Sequence, residues 1–412
     1  MKARGTGPSS PLRVGVNLCW LVPGRVGGSE DLLVGWLTAL AEHPAALVPA
    51  SGPAALDITV FGPAELAEAH PVLAGAFRFV PAPVGGRAKS LRVVTESTWL
   101  AARCRRLGLD VLHHAGGVVP IVHPGRVVLT VHDIQPLDLP ANFSALKRRY
   151  LGLMLPRSVR AADLLVVTSE FVAGRLVDRL GADRARCRVV PPVPPPVTPP
   201  PPADELRARY GLGRRWVLYP AVPYGHKNHR VLYEAARLLP DGLDVQIVLT
   251  GGPGPQDETL ARLAAAGPDG VVRRLGRVPR RDYDGLLAHA EALVFPSTYE
   301  GFGLGAFDAL GRGVPVVAAD IGALAEVLGP EAVLVDPHDP AAWAARITEL
   351  VTDPARRTAL AQASSRRAAW FSARRSAEGL ADAYRTAAGS QPGSPTPPAA
   401  GSQPGSPEPS SS

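Results

Sequence analysis

The sequence predicts an α/β fold of two doubly wound, Rossmann-like domains that face each other across a cleft. Short apolar runs alternate with helical stretches, a pattern typical of parallel sheets with right-handed crossovers. A proline-rich run, residues 191–202, interrupts this alternation near the middle of the 412-residue chain. Because such a run cannot continue a sheet or a helix, it predicts a stiff boundary between two domains.

The composition favours a globular protein with anionic partners. Hydrophobic residues make up 46% of the chain, charged residues 20%, and the net charge is +7. Positive charge suits nucleotides or an anionic membrane face, whereas basic clusters without interleaved aromatics disfavour nucleic acid. The three cysteines lack metal-ligand spacing and read as reduced thiols. Without a membrane-spanning run or a secretion signal, we expect a cytoplasmic protein, with peripheral contact at the inner face of the plasma membrane.

The first series of elements opens with a strand, a glycine loop and a helix that runs to about residue 42. Gly27 and Gly28 leave backbone exposed to a ligand, although a plain left-handed turn is the alternative. The loop lacks the G-x-G-x-x-G pattern, which disfavours an NAD site. Further strands are predicted at residues 57–61, 77–81, 111–113, 127–131, 164–168 and 188–190, and clear helices at 89–107 and 170–180.

Histidines follow two of these strands. His132 and Asp133 leave a buried strand at the edge where parallel sheets bind ligands. The pair could polarise, orient or exchange a proton with a substrate hydroxyl, or His132 could simply be hydrogen-bonded at a strand end. For His113 and His114 we favour the structural interpretation.

The second series resembles the first, with Lys227 near its opening helix. A lysine at a helix N-terminus opposes the helix dipole unless an anion is bound there, so Lys227 suggests a phosphate clamp; an isolated lysine is the alternative. Strands are predicted at residues 216–220, 245–250, 271–275, 293–296, 314–318 and 332–335, and helices at 230–239, 285–289 and 340–388, the last with a break near 371–372.

The stretch 296–310 is the most informative part of the chain. An apolar strand leads into three glycines and then a helix, so free backbone N–H groups and the helix dipole predict an anion site. Glu300 and Asp308 bracket this loop with seven residues between them. Upstream, Asp282-Tyr283-Asp284 matches a D-x-D metal pattern, but we favour helix capping for these aspartates because a predicted helix follows directly.

These segments resemble a known family. Pro296-Ser297 followed by Glu300-Gly301-Phe302-Gly303-Leu304 and Asp308 is similar to the E-x7-E motif of the retaining GT-B glycosyltransferases of family 4. The glycine loop at 27–30 and the segments 132–137, 226–228 and 313–318 match that family in order. The His-Asp segment is similar to its bacterial mannosyl- and rhamnosyl-transferring branches, and the resemblance covers roughly residues 12 to 388.

The resemblance implies a role for each matching residue. Glu300 would bind donor sugar hydroxyls and Asp308 the ribose. The amides of Phe302, Gly303 and Leu304, beside Gly301, would hold the donor phosphates with His226 and Lys227. His132 with Asp133 would lie by the transferred sugar, Gly27 and Gly28 by the distal phosphate, and backbone near Gly276 and Arg277 by the base. We expect no metal or other cofactor, because Lys227 and amide dipoles can stabilise the leaving diphosphate.

Two residues depart from the family pattern. Asp308 is one methylene shorter than the usual glutamate. His226 replaces the usual arginine and so loses a permanent charge. If His226 had to be protonated, activity would fall above the ordinary histidine pKa of about 6.5.

The sequence therefore predicts a retaining transferase that moves a hexosyl group, mannosyl favoured and GDP-mannose the favoured donor, to a glycan or lipid-linked acceptor. Another GT-B activity, such as a phosphorylase or nucleotide-sugar epimerase, and an inactive transferase-like subunit are the alternatives. The predicted parts are an acceptor domain at 12–190, a linker at 191–203, a donor domain at 204–370, a helix at 371–388 that packs back on the first domain, and a disordered tail at 389–412.

Overall fold

The computed structural model describes residues 10–25, 27–48, 54–84 and 89–389, which contain two parallel sheets. The predicted disordered tail lies, apart from Gly389, outside the described residues. The first sheet contains β1 (Leu12–Asn17), β2 (Leu56–Gly62), β3 (Arg78–Pro81), β4 (Val111–His114), β5 (Arg126–Val131), β6 (Leu164–Val167) and β7 (Cys187–Val189). The second contains β8 (Trp216–Pro220), β9 (Gln246–Thr250), β10 (Val272–Gly276), β11 (Ala292–Phe295), β12 (Val316–Ala319) and β13 (Val333–Val335).

Helices connect the successive strands except β4 and β5, which are joined by a loop. Those of the first half are α1 (Gly28–Glu42), α2 (Pro44–Leu47), α3 (Ala64–Ala69), α4 (Pro71–Ala76), α5 (Lys89–Thr95), α6 (Ala101–Leu107), α7 (Gln135–Asp138), α8 (Ala145–Ala161) and α9 (Glu170–Leu180). Those of the second half are α10 (Ala203–Tyr210), α11 (His229–Ala236), α12 (Asp257–Ala265), α13 (Arg280–Ala288), α14 (Leu304–Gly311), α15 (Leu324–Leu328), α16 (Pro340–Thr352), α17 (Pro354–Ala368) and α18 (Ala373–Ala387).

The strand order of each sheet creates a switch point. The first sheet has the order β3-β2-β1-β4-β5-β6-β7 and the second β10-β9-β8-β11-β12-β13, and all of these neighbouring strands pair in parallel. The order reverses between β1 and β4 and again between β8 and β11. Ligands of open parallel sheets bind at the carboxyl ends of strands beside such a reversal. The predicted α/β fold with two doubly wound units is confirmed.

Each sheet has its own hydrophobic core. The second sheet buries strands such as β11 completely against its helices, with Trp216 and Trp343 in the same core. The first sheet is covered on one side by α1 and α18, where Trp36 and Tyr384 are fully buried. Two separate cores make each half a stable platform, so the segments that connect the halves are free to build a cleft.

The C-terminal helix α18 belongs to the core of the first sheet, although α16 and α17 pack with the second. Its Ser376 hydroxyl donates a 2.8 Å hydrogen bond to the Pro191 carbonyl, and Arg385 donates to the Ala46 carbonyl at 2.7 Å. The chain therefore crosses between the two halves twice, once through the proline-rich run and once before α18.

Several elements differ from the sequence prediction. The helix predicted at 230–239 ends at Ala236, and the helical region 340–388 has a second break at Asp353, whose side chain caps α17. Between α5 and α6, residues Glu96–Leu100 form a π-helical segment, in which the backbone hydrogen bonds join residues five apart instead of four. The three cysteines are free and buried. No helix of the described residues has the length and apolar character needed to cross a membrane.

Candidate active site

A cavity of about 800 Å³ lies between the two sheets, at the carboxyl ends of strands from both. Its wall contains eleven of the fourteen predicted site residues; they are Gly27, Gly28, His132, Asp133, His226, Lys227, Glu300, Gly301, Phe302, Gly303 and Leu304. The other three, Gly276, Arg277 and Asp308, are not part of this wall. The residues that the sequence singled out thus meet in one place, although they come from both halves of the chain.

Lys227 projects from a turn that the Pro-Ser segment fixes. The Tyr219 hydroxyl donates to the Lys227 carbonyl at 2.7 Å, and the Thr298 amide donates to the His226 carbonyl at 2.7 Å. Asn228 has a left-handed backbone with φ of 50°, and its amide nitrogen donates to the Pro296 and Pro337 carbonyls. This network aims the ammonium group into the cavity.

Lys227 and Glu300 form an ion pair in the cavity wall. The ammonium nitrogen lies 2.6 Å from Glu300 Oε1, and the two side chains are 21% and 12% exposed. The positive charge of Lys227 and the negative charge of Glu300 thus satisfy each other in the cavity wall. Binding of an anionic, hydroxyl-bearing ligand would have to separate them.

The loop after Glu300 brings backbone unusually close to the other domain. A Cβ atom on Gly301 would lie 2.5 Å from the carbonyl oxygen of His132, so only glycine fits there. Gly303, with φ of 84°, turns the chain into α14. The first amides of a helix have no partner within it, and they carry the positive end of the dipole. The start of α14 lies in the cavity wall, and the anion site that the sequence predicts there stays a prediction.

The glycine loop of the first domain is held by Glu30. Its carboxylate accepts a 2.7 Å hydrogen bond from the Gly24 amide and lies 2.8 Å from His70 Nε2. Gly27 has φ of 64° and directly precedes α1. Glu30 is buried, so the loop is anchored from beneath while Gly27 and Gly28 line the cavity.

His132 is neutral in this environment. Its Nε2 lies 3.0 Å from the Ala115 carbonyl; because a carbonyl can only accept, Nε2 carries the proton and Nδ1 has the lone pair. Burial lowers the pKa of His132 and raises that of Asp133. The Asp133 carboxylate accepts from the Gln135 amide at 2.9 Å, which forms the turn into α7.

The environment of His226 favours a neutral imidazole, so the condition for the predicted alkaline decline is not met. Burial, with a smaller effect of Lys227, lowers the pKa of His226 to about 4. The amide groups of Gln135 and Asn142 lie 3.2 Å from its two ring nitrogens. A neutral ring can accept from one of these amide nitrogens. Because the pKa lies well below 6.5, a decline of activity caused by His226 above pH 6.5 is not expected.

Asp308 is held away from the cavity. Its carboxylate lies 3.0 Å from Arg312 and 3.5 Å from Arg280, and the residue is buried. Arg277 reaches across to the first domain and donates to the Gly24 carbonyl at 3.2 Å. The ribose and base roles given to Asp308, Gly276 and Arg277 thus stay predictions, because in this closed arrangement these residues have protein partners or lie off the wall.

The capping interpretation of Asp282 and Asp284 is wrong. Helix α13 begins at Arg280 after Pro279, so both aspartates lie inside the helix. Asp282 pairs with Arg209 at 2.7 Å, and Asp284 lies 2.9 Å from both Arg280 and Arg312. Arginine partners, rather than backbone amides, satisfy the two carboxylates. Within the described parts of the chain, no group of three His, Cys, Asp or Glu side chains could hold a metal ion.

Several cross-domain residues were not found from the sequence. Ser169 donates to the Gly301 carbonyl at 2.7 Å, and Tyr299 donates to Asp138 at 3.2 Å. Glu326 accepts from the amides of Glu170 and Phe171 at 2.9 and 3.2 Å, so a carboxylate of one domain covers the N-terminus of α9 in the other. Ser169 also caps α9, since its hydroxyl accepts from the Val172 amide at 3.2 Å, whereas its other partner, Gly301, is 132 residues away in the sequence.

Models of known protein families match both halves of the chain. A model described as "Glycosyl transferases group 1" matches residues 204–367, and one described as "Glycosyltransferase Family 4" matches residues 52–193. The chain is 31% identical over 261 residues to the O-antigen chain mannosyltransferase B of Escherichia coli, which covers 60% of this chain and 67% of the relative. This chain belongs to the family 4 glycosyltransferases.

Other matches of this family 4 glycosyltransferase are consistent with that assignment. It is 34% identical over 294 residues to a D-inositol 3-phosphate glycosyltransferase of Xylanimonas cellulosilytica, covering 66% of this chain and 68% of the relative. Of another relative with the same description, from Salinispora arenicola, this chain spans only 63% of the length. HepE of Anabaena, crystallised with UDP and glucose, has a TM-score of 0.67 at 18% identity over 91% of this chain and 100% of that one. That likeness supports the GT-B fold.

Proposed function

We propose that this glycosyltransferase moves a hexosyl group from a nucleotide-diphosphate sugar to a glycan or lipid-linked acceptor, with retention of anomeric configuration. One observation carries the proposal: the Lys227–Glu300 ion pair lies beside the N-terminus of α14 in an interdomain cavity. A nucleotide sugar presents a diphosphate next to a hydroxyl-bearing ring. The diphosphate matches Lys227 and the amides at the helix start, and the hydroxyl-bearing ring matches Glu300.

Donor binding would exchange partners within this pair. The diphosphate would take Lys227 and the amides of Phe302, Gly303 and Leu304, while Glu300 would turn to the sugar hydroxyls. Gly27 and Gly28 would approach the distal phosphate from the other domain. Because Lys227 and Glu300 already satisfy each other, a ligand would have to offer a partner to both of them, so the site would select ligands that carry both chemical groups.

Departure of the nucleoside diphosphate would be the assisted step. Negative charge develops on the leaving phosphate oxygen, where Lys227 and the α14 dipole lie in a partly desolvated cavity, and such preorganised groups are effective catalysts. We therefore expect catalysis without a metal. The acceptor would attack from the face that the diphosphate leaves, because the two carboxylates of the described cavity wall, Asp133 and Glu300, have other proposed roles.

His132 would position the transferred sugar rather than carry charge. Its neutral ring offers the Nδ1 lone pair to a sugar hydroxyl, while the Ala115 carbonyl holds the ring by Nε2. Asp133 would act through the turn that orients this histidine. The contacts between Ser169 and Gly301, and between Glu326 and α9, would keep the domains closed and exclude water, which limits hydrolysis of the donor.

Mannose is the favoured sugar and GDP-mannose the favoured donor. The name of the Escherichia coli relative, O-antigen chain mannosyltransferase B, supports mannosyl transfer, whereas the HepE complexes contain UDP and glucose. The relatives described as D-inositol 3-phosphate glycosyltransferases support a phosphorylated acceptor. We propose that the enzyme works in the cytoplasm, at the inner face of the plasma membrane.

A thermal-shift panel of GDP-, UDP-, ADP- and dTDP-sugars tests the proposal. A ligand that binds only the folded state raises stability by RT ln(1 + [L]/Kd), so at a hundredfold excess over Kd the gain is about 2.7 kcal/mol. We expect one nucleotide class to stabilise the wild type and to lose its effect in Lys227→Ala. If no nucleotide sugar shifts the transition, the proposed donor site is wrong.

A further inference from the structure

Thr168 contributes to the cavity wall a buried side chain that the proposed function does not use. The residue directly follows β6 and is only 4% exposed. Its hydroxyl has no hydrogen-bond partner within the parts of the chain that the structure describes. An unpaired buried hydroxyl costs free energy, so proteins rarely contain one without a functional reason. A ligand atom in the cavity would give this hydroxyl a partner.

The position of Thr168 distinguishes it from other side chains with an unpaired buried atom. The remaining described side chains of this kind, for example those of His229, Tyr233 and Thr386, are not part of the cavity wall. Among the described residues, Thr168 alone combines an unpaired buried hydroxyl with a place in that wall. The coincidence points to a ligand of the cavity rather than to a defect of packing.

Strand pairing places Thr168 beside His132. Strands β5 and β6 are parallel, and their register ends with Val131 opposite Val167. His132 and Thr168 are therefore the next residues at the same edge of the sheet, where the backbones of neighbouring strands lie about 4.8 Å apart. Both residues belong to the cavity wall. Thr168 is thus a neighbour of the histidine that is proposed to position the transferred sugar.

The loop that begins at Glu300 approaches Thr168 from the other domain. The hydroxyl of Ser169, the next residue, donates to the Gly301 carbonyl at 2.7 Å. A Cβ atom on Gly301 would lie 2.5 Å from the His132 carbonyl oxygen, so the same loop also touches the end of β5. Thr168 therefore lies on the hexosyl side of the proposed site, where the ends of β5 and β6 meet the segment that carries the Glu300 carboxylate.

Packing alone does not account for a hydroxyl at this position. The two preceding residues, Val166 and Val167, are fully buried, and a valine in place of Thr168 would have the same branched shape without a polar atom to satisfy. The threonine hydroxyl can donate and accept, whereas His132 offers a lone pair on Nδ1. Because the hydroxyls of a hexosyl ring also donate and accept, the two side chains are suited to bind two of them.

We propose that Thr168 is a specificity-determining residue that hydrogen-bonds one hydroxyl of the transferred hexosyl ring. This inference rests on the proposed function and adds a contact to the same site. Rotation about χ1 exchanges the positions of the hydroxyl and the methyl group of threonine, so the hydroxyl can turn to the cavity when a sugar binds. A sugar that lacks the matching hydroxyl would leave the threonine unpaired and would bind more weakly.

Calorimetric titration of the full chain with two matched ligands tests the proposal. The ligands are the nucleotide sugar that stabilises the wild type in the thermal-shift panel and the corresponding nucleoside diphosphate, which lacks the hexosyl ring. In Thr168→Val we expect the Kd of the nucleotide sugar to rise about tenfold, because one hydrogen bond is lost, and that of the diphosphate to change less than about twofold. Thr168→Ser keeps the hydroxyl and should bind the nucleotide sugar within about threefold of the wild type.

The stability of the variants separates a ligand contact from a structural role. Because the Thr168 hydroxyl has no partner within the described chain, Thr168→Val should keep or raise the urea midpoint of unfolding while its affinity for the nucleotide sugar falls. Thr386→Val is the matched control. The Thr386 hydroxyl is likewise buried and unpaired among the described residues, but it lies on α18 and outside the cavity wall, so both ligands should bind as they do to the wild type.

Monodeoxy analogues of the hexosyl ring identify the hydroxyl that Thr168 binds. The wild type should bind one analogue about tenfold more weakly than the parent nucleotide sugar, and Thr168→Val should not distinguish that analogue from the parent. Equal affinity of the wild type and Thr168→Val for the nucleotide sugar would overturn the proposal, and so would an equal weakening of the nucleoside diphosphate or a lowered urea midpoint. If no nucleotide sugar binds the wild type, the proposed function is refuted and this inference with it.

Discussion

Replacing Lys227 by alanine separates the structural role of the cavity ion pair from its proposed catalytic role. The variant leaves Glu300, which is 12% exposed, without its cation at 2.6 Å. The contribution of such a partly shielded pair to stability lies between that of exposed pairs, which is almost nothing, and that of buried pairs, which cost several kcal/mol to break. We expect the free energy of unfolding to fall by about 1–2 kcal/mol on this scale.

The catalytic loss should be larger and independent of that change. Removing one group that stabilises developing charge costs a factor of about 10²–10³ in kcat, or about 2.7–4 kcal/mol. In the double variant Lys227→Ala/Glu300→Gln the uncompensated carboxylate is gone, so most of the stability should return while kcat stays low. Urea unfolding gives the first quantity, and release of nucleoside diphosphate from the donor gives the second.

A nearby ion pair serves as the control. Arg230 and Glu234 are also 2.6 Å apart but are much more exposed, so Arg230→Ala should change stability by less than about 1 kcal/mol and leave kcat unchanged. Two outcomes would refute the reasoning about Lys227. One is a kcat within threefold of the wild type in Lys227→Ala, and the other is recovery of kcat together with stability in the double variant.

Other residues give further expectations. Because the pKa of His226 is about 4, His226→Gln and the wild type should have superimposable pH–rate profiles between pH 6 and 8; a wild-type decline that the variant lacks would contradict a neutral His226. Glu30→Ala should raise the donor KM by roughly tenfold, since the Gly24 amide loses a charge-assisted acceptor, with Glu30→Gln closer to the wild type. Glu326→Ala removes the cross-domain cap of α9 and should open the cleft, seen as a larger radius of gyration by X-ray scattering, whereas Glu331→Ala should not. Burial lowers the pKa of His113 and His114 to about 3. As the pH falls below about 6.5, these histidines take up protons in the unfolded chain but not in the folded protein, so the free energy of unfolding should decrease by roughly 1.4 kcal/mol per pH unit for each. A urea midpoint that does not change from pH 7 to 5 would show that they are not buried and neutral.

Elements with local signals were predicted closely. Helix α9 spans Glu170–Leu180 as expected, because Ser169 caps its start and Gly181, in a left-handed conformation, ends it. Strand β8 also has its predicted bounds, since Trp216–Pro220 is a short apolar run buried in a parallel sheet. In both cases neighbouring residues contain the information that determines the structure.

The start of α13 shows a local signal that was misread. Pro279 stands at the N-cap, and proline is common at helix starts, so Arg280 rather than Gly285 begins the helix. The Asp308–Arg312 ion pair was also within reach of the sequence, because residues four apart on a helix are neighbours. The burial of that pair, in contrast, depends on Asp284 and Arg280 from another helix.

Contacts between the domains could not be predicted from patterns along the chain. Burial lowers the pKa of His226, and Gln135 and Asn142, which approach the ring from the other domain, are more than 80 residues away in the sequence. The resemblance gave the positions of the catalytic segments but not how tightly they close. Gly301 shows how close the two segments come, because any larger residue at this position would displace His132.

The central claim is that the Lys227–Glu300 cavity cleaves a nucleotide sugar between the anomeric carbon and the diphosphate and retains the configuration at that carbon. Phosphorus and proton NMR of wild-type enzyme with the donor selected by thermal shift, followed through turnover, tests it most directly. We predict nucleoside diphosphate and a product sugar with the donor's anomeric configuration. Formation of a hexose 1-phosphate, an epimerised nucleotide sugar or an inverted product would contradict the claim.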